Sequence, residues 1–286
     1  VKNTPRHAAL LPNSTWGYEN WPGGASPAIP GRLQAFITAL FAHLAATGRA
    51  GRIKYIEPIN ELRVWEEDDS LDTRVPDGNY TKFWRGSTRE AARHYIEVAN
   101  AIPAGVLLTC GAFEGKGGNF REPNRTVNKL MRALDEQGKR QIIKAWSHHT
   151  YVYNGPSYWF DDQGTSESMG HQAAPAHFGL TVKAFIDSEL GSEAPVKFEN
   201  YTDAEQATSI ERRITANVAV GVRTSYCYIY RASDGDFPNS KTLTNAKLTE
   251  LHNRGGGWIF RCARTGDSRL WYSMVLPNGQ TLTRTV

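Results

Sequence analysis

The chain has 286 residues, enough to bury a core as one large domain or as one domain with a small appendage. Its net charge of +4 is too small and too dispersed along the sequence to indicate nucleic-acid binding, and no apolar run reaches the roughly 18 residues of a membrane span. The three cysteines are widely spaced without a CxxC pair, so the sequence indicates neither a disulfide framework nor a zinc ribbon.

The first part of the chain alternates apolar runs with glycine and proline breaks. Residues 7–12 are typical of a short strand, and the helical spacing of the apolar residues after Gly31 predicts an amphipathic helix. The apolar run that ends at Ile59 predicts a buried parallel strand, because it is short and is bounded by turn residues. Asn60 and Glu61 follow this strand directly.

The alternation continues after an acidic, irregular loop. Ser87 and Glu90 have the spacing of a capping box, which predicts the start of a second helix. Apolar spacing predicts a later helix that includes Phe178 and Ile186 and ends at Gly191. The other expected elements are strands over 106–110, 142–151, 194–199 and 224–230, helices around 127–134, 210–218 and 243–253, and an antiparallel β meander over 255–286.

Strands that alternate with helices indicate parallel βαβ units. The sequence supplies six such strands, whereas a closed (β/α)₈ barrel has eight. A doubly wound open sheet also fits the alternation, and the chemistry of the strand ends favours the barrel. The expected fold class is therefore α/β, a (β/α)₈ TIM barrel over residues 1–254 that is N-terminally incomplete, with a β appendage over 255–286. The start at Val1, without a signal peptide, indicates a processed protein or a piece of one.

Two glutamates that follow predicted strands form the candidate catalytic pair. Glu61 ends the strand described above, and Glu199 ends another strand three strand–helix units further along the chain. Side chains at the C-terminal ends of parallel strands face the rim where α/β barrels carry out their chemistry. Retaining hydrolysis of a glycosidic bond uses two carboxyls about 5–5.5 Å apart, one protonated and one ionised. We therefore expect Glu61 to be the acid/base and Glu199 the nucleophile, with Asn60 able to bind a sugar 2-hydroxyl.

The order of three motifs resembles a known clan of enzymes. Asn60-Glu61 after Tyr-Ile-Glu-Pro-Ile, then His149-Thr-Tyr151, then Glu199 after Val-Lys-Phe, is similar to the retaining (β/α)₈ glycoside hydrolases that include cellulases, mannanases and β-xylosidases. In that clan Asn-Glu ends the fourth strand, a His-x-Tyr pair ends the sixth and the nucleophile ends the seventh.

The resemblance covers roughly residues 7–253 and implies roles for several residues. His149 and Tyr151 would surround the nucleophile, with Tyr151 donating a hydrogen bond to it. The first two strands of the barrel, including an Arg that the clan usually carries, are absent from the expected elements. The resemblance implies an oligo- or polysaccharide substrate, no cofactor, and a secreted or periplasmic location.

Aromatic side chains in the predicted rim loops offer faces for sugar rings. Trp65 and Trp159 lie in such loops, and the predicted eighth strand carries Tyr228 where the clan has a Trp. Sugar rings stack on such flat apolar faces, although loop tryptophans also serve as packing residues. We therefore expect these three residues to take part in substrate binding.

Other readings of the sequence are weaker. His148 and His149 are adjacent on a predicted strand and would point to opposite faces, so they are not expected to share a metal ion. The glycines between Gly111 and Gly118 lack the spacing of a phosphate-binding loop. The rival class is a catalytically impaired barrel that binds carbohydrate without cutting it, which the missing strands would favour.

Overall fold

The structure of the chain is a computed structural model, and it divides into two compact units, each with its own internal contacts. The first unit comprises Val1–Ser147 and Ala174–Lys183, and the second comprises His148–Ala173 and Ala184–Val286. The structure describes residues 4, 6–11, 13, 26–76, 83–113, 118–152, 173–192, 204, 222, 224–227, 246, 259–264, 270–275 and 281–285.

Three helices of the first unit confirm the amphipathic patterns of the sequence. They are α1 (Arg32–Ala46), α2 (Thr88–Ala101) and α3 (Thr126–Asp135), with α1 against α2 and α2 against α3. The capping box is confirmed as well, because the Ser87 side chain accepts from the Glu90 N–H and the Glu90 carboxylate accepts from the Ser87 N–H. Each bond satisfies a donor that the first turn of a helix leaves unpaired.

A side chain from α2 caps the start of α1. Gly31 and Gln34 donate their backbone N–H groups to the two carboxylate oxygens of Glu97, at 2.9 and 3.2 Å. The carboxylate also complements the positive end of the helix dipole. These two bonds fix α1 on α2 and explain why the Glu97 carboxylate is buried. The Arg93 guanidinium, 3.4 Å from the carboxylate, balances its charge.

The parallel strands of the first unit are much shorter than the sequence predicts. β1 (Tyr55–Ile56) pairs in parallel with β2 (Leu107–Leu108), and Thr109 forms a parallel bridge to Ala145 at the start of β3 (Ala145–Val152). The expected strand over 7–12 is wrong, since Arg6–Ala8 form a 3₁₀ helix and Ala9 makes one antiparallel bridge to Ala28.

The second unit contains β3 from His148 onward, β4 (Ala184–Ser192) and β5 (Thr224–Cys227), with β4 between the other two strands. β4 and β5 are parallel. The helix predicted through Phe178 and Ile186 is wrong, because a short helical segment ends at residue 177 and the chain then enters β4.

The C-terminal meander is confirmed. β6 (Ile259–Arg264), β7 (Leu270–Val275) and β8 (Thr281–Thr285) form an antiparallel three-stranded sheet in chain order. The predicted helices around 210–218 and 243–253 lie outside the described residues, apart from single positions. The boundary between 254 and 255 stays a prediction.

Candidate active site

Glu61 lies in a strained turn that follows β1. Asn60 and Glu61 form the turn, both partly exposed, and Leu62 then bridges in parallel to Phe113 beyond the end of β2. Glu61 has φ of 43°, the only positive φ at a non-glycine residue in the part of the chain that the structure describes. The left-handed region costs an L-residue about 1–2 kcal/mol, and such strain concentrates at functional sites. The turn holds Glu61 at the C-terminal side of the β1–β2 pair.

A second carboxylate of the same segment ties the strand ends together. Oε1 of Glu57 accepts a hydrogen bond from the Ala112 N–H at 2.6 Å and one from the Ser147 hydroxyl at 3.4 Å. Ala112 follows β2 and Ser147 lies near the start of β3, so one side chain joins the segments after β1 and β2 to the first residues of β3. The sequence predicted no role for Glu57, although a carboxylate inside an apolar run was a signal for it.

The groups around Glu57 are buried and neutral. Burial, and then the negative charge of Glu57, raise the pKa of the Cys110 thiol well above its usual range. Burial also raises the pKa of Tyr95, whose hydroxyl donates to the Cys110 carbonyl. Cys110 is a free buried thiol. This layer under the turn is therefore structural rather than nucleophilic.

The loop after Glu61 is anchored to α3. Lys129 donates from Nζ to the carbonyls of Trp65 at 2.6 Å and Asp68 at 3.0 Å, and Glu66 accepts from the Thr126 N–H and hydroxyl at 2.9 and 2.7 Å. Trp65 itself is partly exposed. In the acidic, irregular loop of the sequence, Glu66 pairs with Arg125 and Asp69 pairs with Arg132, and no cluster of three or more metal-ligating residues occurs among the described positions.

The His-x-Tyr motif lies on β3, as predicted from the sequence. His148 is fully buried and the neighbouring His149 is partly exposed, which matches the alternation of side chains along a strand. Tyr151 is part of the same strand. Ser188 of β4 donates from its hydroxyl to the His148 carbonyl at 3.5 Å, close to the limit for a hydrogen bond.

β4 contains a glutamate that the sequence analysis did not single out. Glu189 belongs to the strand that neighbours β3, where a helix was expected. The β4–β5 register pairs Asp187 with Ser225 and Leu190 with Cys227, so β4 has one extra residue in this interval. Such bulges are over-represented next to active sites, where they redirect a side chain. In the sequence Glu189 follows the polar pair Asp187-Ser188 and precedes Leu190-Gly191, so the segment lacks the continuous apolar run of a buried strand.

Three predicted site residues lie outside the described residues, namely Glu199, Trp159 and Tyr228. Of the others, Asn60, Glu61 and Trp65 belong to the first unit, and His149 and Tyr151 to the second. No described helix is long and apolar enough to cross a bilayer.

The fold is similar to that of solved glycoside hydrolases. A glucosidase from Croceicoccus marinus has a TM-score of 0.55 at 10% identity, over 91% of this chain and 60% of that one. A family 39 glycoside hydrolase from Bacteroides cellulosilyticus WH2 has a TM-score of 0.53 at 14% identity, over 94% and 54%. A family 30 subfamily 8 xylanase from Clostridium acetobutylicum has a TM-score of 0.53 at 11% identity, over 96% and 62%.

At these identities the likeness concerns the fold. The chain spans between 54% and 62% of the length of those three proteins. No family model matches the sequence, and no curated protein matches it.

Proposed function

We propose that the chain is a retaining β-glycoside hydrolase that acts on an oligo- or polysaccharide. The observation that carries the proposal is Glu61, held in a strained turn directly after a parallel strand, in a chain whose fold is similar to that of solved glycoside hydrolases. Backbone strain is retained where the surrounding structure over-determines it, which is typical of active sites. The (β/α)₈ closure of the strands belongs to the same proposal.

Glu61 is the acid/base of the proposed reaction. In the first step Glu61 gives its proton to the glycosidic oxygen, and the bond between this oxygen and the anomeric carbon breaks. At the same time a carboxylate oxygen of the nucleophile bonds to the anomeric carbon. In the second step Glu61 takes a proton from water, whose oxygen bonds to the anomeric carbon as the ester bond breaks. Asn60, next to Glu61 in the turn, serves as a hydrogen-bonding group for the sugar 2-hydroxyl.

We assign the nucleophile to Glu189. The sequence predicts Glu199 at the end of the strand after the His149 strand, and that residue lies outside the described residues, whereas the next described strand after the His149 strand is Ala184–Ser192. The strand that neighbours the His149 strand is therefore β4, and Glu189 is the glutamate within it. Glu199 remains the prediction of the sequence, and the same experiment tests both residues. His149, Tyr151, Trp65, Trp159 and Tyr228 are proposed to contact the substrate.

Hydrolysis of a panel of aryl β-glycosides and β-linked oligosaccharides tests the proposal. Glu61→Ala and Glu189→Ala should each lower kcat/KM, by about 10²-fold or more on unactivated substrates, because each removes a group that acts in the transition state. Glu67→Ala is the matched control, since Glu67 is an exposed residue of the same loop.

Three outcomes would contradict parts of the proposal. Loss of activity in Glu199→Ala with full activity in Glu189→Ala would return the nucleophile to Glu199. Inverted anomeric configuration of the first product would exclude double displacement. If the folded chain binds sugar but shows no glutamate-dependent turnover, the chain is a carbohydrate-binding protein rather than an enzyme.

A further inference from the structure

The segment from Leu62 to Asp69, here called the anchored loop, is held against α3 by side chains that bind its backbone. The Thr126 hydroxyl accepts the Val64 N–H at 3.2 Å and donates to Oε1 of Glu66 at 2.7 Å. Lys129 donates to the Trp65 carbonyl at 2.6 Å. Bonds to backbone atoms set the path of a loop more directly than contacts between side chains, because no rotatable side-chain bond intervenes on the loop side.

These anchors are buried, and burying a polar or charged group is unfavourable unless it is hydrogen-bonded. Thr126 and Val64 are 0% exposed, Lys129 is 1% exposed and Glu66 is 9% exposed. Burial lowers the pKa of Lys129. A buried ammonium group costs several kcal/mol unless its donors are satisfied, and apolar packing of the same volume would be as stable or more so. Polar anchors of this kind define one geometry of the loop where apolar contacts would permit several.

The anchored loop begins at the residue next to the strained glutamate. On one side of Leu62 is Glu61, with φ of 43°, and Leu62 itself donates its N–H to the Ala112 carbonyl at 3.0 Å. Two residues further along the loop, the Val64 N–H is bound by the Thr126 hydroxyl. A left-handed non-glycine residue relaxes to an ordinary conformation unless both flanks are fixed.

We infer that Thr126 and Lys129 are positioning residues of the proposed active site, which fix the anchored loop and through it the backbone of Glu61 and Trp65. This inference rests on the proposed function. Neither residue touches the reacting atoms; each acts on the placement of a group that does. A displacement of about 1 Å at such a group is enough to lower a rate about 100-fold.

Thr126→Val tests the inference, because valine keeps the shape and removes the hydroxyl, while Thr126→Ser keeps the hydroxyl. If Glu61 loses its geometry as a proton donor, Thr126→Val should lower kcat/KM on glycosides with poor leaving groups by roughly 10- to 100-fold and leave kcat/KM on dinitrophenyl glycosides within about twofold, because forming the intermediate from so good a leaving group needs no acid. Thr126→Ser should remain within about twofold of wild type on both substrate types. A general loss of structure would lower both rates together, so this split separates positioning from stability.

Lys129→Met provides the second variant, with Asp135→Asn as its control on the same helix. Asp135 pairs with Arg140 at 2.8 Å in an exposed position rather than with the anchored loop, so its loss should change neither rate. Lys129→Met should weaken binding of oligosaccharides, seen as a raised KM, since it frees the Trp65 carbonyl. Equal effects of Lys129→Met and Asp135→Asn on KM would overturn the role of Lys129.

Amide hydrogen exchange measures the structural step without any substrate. Thr126→Val should speed exchange at Leu62–Asp69 relative to Thr126→Ser, with exchange in α2 unchanged. Unchanged exchange in this loop, or an equal loss of activity on both substrate types, would overturn the inference. A wild-type chain with no hydrolysis would overturn the proposed function instead, and the exchange result would still decide whether Thr126 fixes the loop.

Discussion

The Ala112 N–H donates a 2.6 Å hydrogen bond to Oε1 of Glu57, so a carboxylate just beyond β1 fixes the loop that follows β2. Fifty-five residues separate the two partners along the chain. The bond lies beside Gly111, whose φ of +88° is in the left-handed region. The position of the loop after β2 therefore depends on Gly111 as well as on the Glu57 carboxylate.

Gly111→Ala should destabilise the chain by more than its conformational cost alone. A Cβ at Gly111 would lie 2.8 Å from the Tyr95 hydroxyl oxygen, whereas a Cβ at Gly138, also at positive φ (+63°), meets nothing within 4 Å. We expect Gly138→Ala to cost about 1 kcal/mol and Gly111→Ala about 2–4 kcal/mol, as measured by urea unfolding. Equal costs for the two variants would show that the space beside Tyr95 is not tight.

His94 should make stability fall as the pH is lowered. Burial, with a smaller effect of Arg93, lowers the pKa of His94 from 6.5 to about 3, and its Nε2 accepts the Ala28 N–H at 2.9 Å. Between these two values the unfolded chain binds a proton that the folded chain does not, so the contribution is complete above pH 6.5 and is lost as pH falls towards 3.

The measurement is the free energy of unfolding between pH 4 and pH 8 for wild type and His94→Gln, since a glutamine oxygen can replace the acceptor. The wild-type curve should be steeper by up to about 1.4 kcal/mol per pH unit below pH 6.5. His43→Gln, at an exposed position of α1, should keep the wild-type slope. Parallel curves for wild type and His94→Gln would contradict this account of His94.

Ser87→Ala should weaken the start of α2. The substitution removes the acceptor of the Glu90 N–H, and we expect a loss of about 1 kcal/mol in unfolding free energy. Ser87→Gly should cost only a few tenths of a kcal/mol, because glycine is tolerated at this position of a helix. A larger loss for glycine than for alanine, seen in thermal or urea unfolding, would mean that the cap bond is not what the serine supplies.

Glu61→Ala should respond to an added nucleophile. Without its acid/base the enzyme forms the covalent intermediate only from activated substrates and hydrolyses it slowly, while azide needs no deprotonation to attack. We expect azide to raise turnover of dinitrophenyl β-glycosides by about 10-fold or more and to yield a β-glycosyl azide. Glu67→Ala should show neither effect, and an α-glycosyl azide from Glu61→Ala would assign Glu61 the nucleophile's role.

The sequence predicted what local periodicity controls. α1, α2 and α3 followed from apolar spacing, and the C-terminal meander followed from two turns between aromatic runs. The helix prediction for Phe178–Ile186 was wrong because the apolar residues of this segment also fit a helical period. A strand that is buried on both faces has no period of its own that would distinguish it from a helix. The expectation of Glu199 as nucleophile stays a prediction, because that residue lies outside the described residues.

Long-range polar contacts had no signal in the sequence. Glu66 and Thr126 lie 60 residues apart, and nothing in either neighbourhood indicated that they bind each other. Glu57 was visible as a carboxylate in an apolar run, but its partners Ala112 and Ser147 depend on how three strands are brought together. Such contacts arise from tertiary structure, so residue patterns within one segment could not reveal them.

Labelling with an activated 2-deoxy-2-fluoro β-glycoside tests the central claim most directly, because the fluorine slows the second step and lets the glycosyl-enzyme accumulate. Intact-mass measurement should show one added sugar, and fragmentation of the labelled peptide should place it on Glu189, with no label in Glu189→Ala. A label on any other residue, or a folded, sugar-binding chain that gains no mass, would contradict the account.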